Sequence, residues 1–131
     1  MRKIIISGNE YPIRFDYMVL RALSEKYDSI RQFEMDLRGW TVAGTDKDGN
    51  EIMKKTKEPS VRCIMFLLPL MINSALDYQG FAPVDEEKII KEIDLNFTEL
   101  AIILHNEMKT CFKSCIPEKK KYDPISPTPE A

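Results

Sequence analysis

Histidine is almost missing from this chain: His105 is the only one in 131 residues. A Ser–His–Asp relay or a histidine-based metal site therefore has a single imidazole to work with. Cysteine is nearly as scarce. Cys63, Cys111 and Cys115 form an odd set at irregular spacing, which argues against a secreted disulfide framework and for a reducing cytoplasm. No charge sign dominates, with 19 basic and 21 acidic side chains and a formal net charge of −2. Nucleic acid is therefore not an expected partner. A long apolar run is also missing. The longest, Cys63 to Ile72, falls well below the roughly 20 residues of a membrane span. The opening Met1-Arg2-Lys3-Ile4-Ile5-Ile6-Ser7-Gly8 turns polar after three apolar residues, too few for a secretory apolar region. No membrane partner is expected.

What is present is an ordinary globular composition, 44% apolar and 31% charged. A chain of this length can bury a core without metals or disulfides. The pattern predicts an α+β, predominantly helical fold: an N-terminal β-hairpin packed on four to five helices, a second exposed hairpin and a disordered C-terminal tail. One globular domain is expected over 1–116, with a Pro/Lys-rich tail over 117–131.

Residues 3–15 read as the first hairpin. Lys3-Ile4-Ile5-Ile6 is β-branched, Ser7-Gly8-Asn9-Glu10 carries turn chemistry, and Tyr11, Ile13 and Phe15 share one face by period two. Pro12 lacks an N–H and belongs on an edge or pointing outward. Asp16 is a candidate N-cap for a helix starting at Tyr17, with Leu20, Leu23 and Tyr27 at helical spacing and Arg21, Glu25 and Lys26 left to solvent. Asp28-Ser29 reads as a break and new cap before Ile30, Phe33 and Leu37, and Gly39 as the C′ residue.

Residues 40–58 read as a protruding hairpin around Asp46-Lys47-Asp48-Gly49-Asn50. Its strands are polar on both faces apart from Trp40, Val42, Ile52 and Met53, so weak anchoring is expected. Pro59-Ser60 starts the next helix, and Val61 to Leu76 is apolar nearly all round, as a central buried helix is. Pro69 interrupts its hydrogen bonding and predicts a kink. Asp85 caps a short helix carrying Ile89, Ile90 and Ile93. Asn96, with Glu99 three residues on, opens a long final helix. Leu100, Ile103, Leu104, Met108, Cys111, Phe112 and Cys115 would form its apolar stripe.

The candidate chemistry reads blandly. His105 lies roughly 120° around the final helix from Cys111 at about 100° per residue, and is expected to be exposed or half-buried rather than catalytic. Cys111 and Cys115 are an i, i+4 pair that with Cys63 supplies three thiols, but both fall on the apolar stripe, where free cysteine behaves as a small hydrophobe. Asp46–Asn50 resembles the opening of a calcium loop, yet the glycine and glutamate required at its sixth and twelfth positions are here Glu51 and Lys57. A phosphate-binding glycine loop, an HExxH pair and a nucleophile elbow are absent from the sequence. The chain is thus expected to be no enzyme and to hold no cofactor and no metal.

Apolar surface is what is left to work with. The Val61–Leu76 helix and the final stripe hold more large apolar side chains than a small core needs. Among them, the methionines adapt to surfaces that re-pack around partners. Met65, Leu67, Leu70, Met71, Met108 and Phe112 are the candidate partner-binding residues.

The order of these features resembles a known family. Ile4-Ile5-Ile6-Ser7-Gly8-Asn9-Glu10-Tyr11-Pro12-Ile13-Arg14-Phe15-Asp16 is similar to the start of tail assembly chaperones of long-tailed, siphovirus-type phages and prophages of Gram-positive bacteria. Leu23-Ser24-Glu25-Lys26-Tyr27, Phe33-Glu34, Leu37-Arg38-Gly39, Pro69 with Met71-Ile72-Asn73, then Leu76-Asp77-Tyr78 and Gly80 follow in the family's order. The likeness spans roughly residues 1–115 and is one of style rather than of a catalytic signature. It implies a non-catalytic protein of the host bacterial cytoplasm, absent from the mature virion. Such a protein binds the phage tape measure protein and keeps it soluble during tail assembly. It further implies self-association and a longer frameshifted form. Lys119-Lys120-Lys121 suggests a slippery A-rich run in the gene. No binding residue transfers from the family, and the 40–58 hairpin stands outside the likeness. The alternatives are a small phage regulatory or inhibitory protein that binds a host factor, and a minor structural tail or connector subunit.

Overall fold

A computed structural model describes residues 1–112 and Ser114. Within them, five helices and two two-stranded antiparallel sheets make an α+β fold that is about 49% helical and 17% strand. The expected tail over 117–131, and Cys115, lie outside the described residues.

The first hairpin pairs β1 (Lys3–Ile6) with β2 (Asn9–Pro12), Ile6 opposite Asn9 and Lys3 opposite Pro12. The turn is tighter than the four residues the sequence suggested. Ser7 and Gly8 alone form it, at φ 49° and 78°. Two left-handed residues in succession match the twist of the flanking strands, and glycine adopts the second without steric cost. Alternation then sorts the side chains: Ile4, Ile6, Tyr11, Ile13 and Phe15 are buried while Ile5 faces solvent. Pro12 sits where its missing donor costs nothing, since the next ladder bond is from the Ile13 amide to the Arg2 carbonyl at 2.9 Å.

Helix α1 (Tyr17–Lys26) starts at Asp16, whose carboxylate accepts from the Val19 amide at 3.1 Å. Helix α2 (Ile30–Arg38) starts at Ser29 and stops at Gly39, φ 78°. A Cβ at Gly39 would run into the Lys57 carbonyl, so this glycine both ends the helix and admits the returning strand. The second hairpin, β3 (Trp40–Thr45) with β4 (Glu51–Lys55), projects between them, with a register shift between Val42 and Gly44. Its root is polar, the Thr56 and Lys57 amides both donating to the Gly39 carbonyl, and nearer its turn Glu51 pairs with Arg31 of α2.

Helix α3 (Val61–Tyr78) runs through the middle, with α1, α2, β2, α4 (Glu86–Lys91) and α5 (Phe97–Met108) packed against it. Its length and apolar composition would also suit a membrane span. Here, however, Leu67, Leu68, Met71 and Ile72 are fully enclosed by the other elements. Pro69 is accommodated within one continuous helix, leaving the Met65 carbonyl without its usual amide donor. Gly80, φ 83°, ends α3 in a paired cap: its amide donates to Asp77 and that of Phe81 to Leu76, at 3.0 and 2.8 Å. The Asn73 side-chain amide then holds the return loop, accepting from the Val84 amide and donating to its carbonyl.

Two boundaries differ from the sequence reading. Helix α4 ends at Lys91, so Ile93 packs on the core from the connection beyond it. The final helix stops at Met108, and Cys111 and Phe112 lie in turns past its end. The apolar positions continue at helical spacing, but the Thr110 and Cys111 amides already make three-residue turn bonds, to Glu107 and Met108 respectively. Cys111 therefore lies beyond the helix.

Candidate functional site

Two features stand out from a conventional core: a buried polar cluster and a pair of apolar troughs along α1.

The cluster contains Glu34 and His105, two polar side chains buried within an otherwise apolar interior. The sequence reading placed His105 at or near the surface; instead it is 1% exposed. It falls at i+4 from Ala101 and three residues before Met108, on the inward face of α5, where both neighbours are buried. Glu34 occupies the equivalent inward place on α2, between Phe33 and Leu37. His105 Nε2 lies 2.6 Å from Glu34 Oε2, and Arg38 Nη1 lies 2.8 Å from His105 Nδ1. A guanidinium only donates, so Nδ1 accepts and Nε2 carries the proton that goes to the Glu34 carboxylate. The Ser114 hydroxyl also donates to Glu34. Burial pulls the Arg38 pKa below its ordinary value, opposed by the nearby Glu34 charge.

This arrangement is not a hydrolytic triad. A triad orients the imidazole with a carboxylate at one nitrogen and leaves the other for the nucleophile. In this cluster the carboxylate and the hydroxyl share the Nε2 side, and the other nitrogen is occupied by an arginine. What the cluster does is tie α2 to α5 and to the chain leaving α5, inside a low-dielectric interior where unpaired groups are costly. The signal for it was legible: a carboxylate and an imidazole each interrupt an apolar stripe.

The thiols behave as small hydrophobes. Cys63 is buried in α3 and Cys111 half-buried, and burial pushes both above the usual thiol range.

The troughs flank α1. One, of about 460 Å³, runs between α1 and the C-terminal half of α3. Val19, Ala22 and Leu70 form its floor, Met18 and Tyr78 its walls. The other, of about 540 Å³, is a shallow apolar strip lined by Tyr17, Leu20, Ile30 and Phe112. Arg21 borders both and so stands on the ridge between them. Tyr17 and Met18 are 74% and 59% exposed, unusual for such large side chains at adjacent positions.

The six residues singled out from sequence divide evenly. Leu67, Met71 and Met108 are each 0% exposed and belong to the core, because they face inward on α3 and α5. Met65 reaches solvent on α3, Leu70 lies in the first trough and Phe112 in the second. The structure does not bring these three together in one patch. Met18, Tyr17 and Tyr78, which the sequence reading did not single out, contribute more exposed apolar surface than any of them.

Comparison with protein-family models, with curated proteins and with solved structures gives no match.

Proposed function

We propose that this chain is a non-catalytic phage tail assembly chaperone. On this reading it binds the tape measure protein in the host cytoplasm and keeps it soluble until the tail tube forms around it. The observation that carries the reading is the exposed apolar ridge of α1, Tyr17 and Met18, with a trough on either side. A trough between two helices receives the apolar face of a third, and a long amphipathic helical chain presents such faces repeatedly. The ordered resemblance of residues 1–115 to tail assembly chaperones supplies the biological context. Of the candidate binding residues, Leu70 and Phe112 line these troughs, while Met65, exposed on α3, lines neither.

The test is co-expression with the tape measure protein of the same phage, scored for soluble complex. Recovery of an otherwise insoluble tape measure in complex with this chain is the expected result. An equally insoluble tape measure with and without the chain, in the presence of any longer form, overturns the reading and favours a regulatory protein directed at a host factor.

A further inference from the structure

We propose that the apolar strip beside Tyr17 is a docking groove for the chain's own proline-rich segment, Pro124-Ile125-Ser126-Pro127. The strip belongs to the surface used in the chaperone reading, but its occupant is intramolecular and the inference stands without a tape measure. If the chain is a chaperone, the segment covers the strip until a partner displaces it.

The lining suits an extended, proline-rich ligand. Tyr17 and Phe112 each contribute an aromatic ring, and Leu20 and Ile30 add half-buried aliphatic surface. Phe112 is backed by Phe15, with ring centroids 6.2 Å apart, and Tyr17 is 74% exposed. Shallow aromatic-lined grooves take Pro-x-x-Pro segments, because a polyproline helix is formed before binding and loses little entropy. The trough on the other side of α1 is less suited. Its one aromatic wall is Tyr78, and the Arg14 guanidinium already lies over that ring at 3.8 Å.

Length and connectivity select this segment. Pro124 and Pro127 stand about 9 Å apart in a polyproline helix. The run of α1 that borders the strip, Tyr17 to Ser24, rises about 10 Å. The chain also leaves the described fold at the strip itself. Phe112 forms part of it, and the Ser114 hydroxyl donates to Glu34, one helical turn from Ile30. From Ser114 to Pro124 the chain spans at most about 35 Å, several times the length of the strip. A tethered ligand acts at an effective concentration on the order of millimolar, which populates a contact too weak to form between separate molecules.

The test is made by NMR on the full, isotope-labelled chain. Nuclear Overhauser contacts are expected from the Pro124 and Pro127 rings to the Tyr17 ring and the Leu20 methyls. The double variant Pro124→Ala/Pro127→Ala should lose them and move the Leu20 and Ile30 methyl signals, at unchanged melting temperature. A synthetic peptide of residues 119–131, added to that variant, should return those signals towards their native positions, with half-saturation on the order of a millimolar. Tyr17→Glu, a change the first turn of a helix favours, should abolish both the contacts and the peptide response without lowering the melting temperature.

Identical strip signals in the native chain and the double variant would overturn the proposal. So would contacts of Pro124 and Pro127 confined to another surface, or a peptide that leaves the strip signals unmoved. Contacts found only between differently labelled copies would make a second molecule's segment the occupant, with the same consequence. None of these readouts involves the tape measure, so their failure leaves co-expression rescue standing, and a failed rescue leaves them standing.

Discussion

At the residue scale the most informative positions are those where one side chain answers two demands. Glu34 and His105 sit where the helix pattern asks for leucine, and each is tolerated because the other satisfies it. Removing one partner leaves a buried polar group unsatisfied. Glu34→Ala and His105→Ala are each expected to cost about 3–5 kcal/mol by chemical denaturation. The double variant should cost clearly less than the sum, a coupling that a mutant cycle measures. Gly39 answers a backbone demand and a packing demand together. Gly39→Ala is expected to lose more than about 1–2 kcal/mol, the left-handed penalty alone, because the Lys57 carbonyl must also move. Leu67→Ala should cost about 2–5 kcal/mol, and Met65→Ala, at 40% exposure, well under 1.

Among the elements, the start of α1 is the most heavily wired. Asp16 is partly buried, which pushes its pKa up. The Val19 amide, the Ser74 hydroxyl and Arg14 together outweigh burial and hold it below the usual carboxylate range. A depressed folded pKa gives stability that is fully present above the unfolded value, about 3.9, and is lost as pH falls through the folded one. The stability difference between the native chain and Asp16→Asn should therefore be constant from pH 5 to neutrality and shrink below about pH 4. Thermal melts of both proteins across that range check it. The β3–β4 hairpin is the opposite case. Val42 and Ile52 are exposed, and the Trp40 indole N–H is enclosed without an acceptor among the described residues. Amides from Val42 to Ile52 should exchange on the order of a hundredfold or more faster than those of α3. Comparable protection would mean the hairpin is anchored by more than its root.

For the whole molecule, the first hairpin, α1, α2, α4 and α5 all close on α3, and one hydrophobic cluster joins them. Such an arrangement unfolds as a unit. Helical and aromatic signals should give coincident denaturation curves, and separated midpoints would show that the α1–α2 side opens independently. The apolar excess in the sequence resolves at this scale. Most of it fills the space around α3, and what reaches the surface is spread over several elements, with Tyr17 and Met18 adjacent at the start of α1.

The sequence by itself determined the local structure: the caps at Asp16, Ser29, Ser60, Asp85 and Asn96, the stop at Gly39, both hairpins and the central helix. These follow from short-range rules of periodicity, capping and turn chemistry, in which each residue is read against neighbours a few positions away. Tertiary structure alone decided three further things. It buried His105 against Glu34, 71 positions away in the chain. It ended the last helix at Met108 although the apolar spacing continues. And it left Met18 and Tyr78 exposed while enclosing Met71 and Met108. Helical spacing identifies a stripe, but which part of a stripe is covered depends on the direction and length of the helices laid against it. Here α3 is long enough to be covered on most sides, and α1 is not.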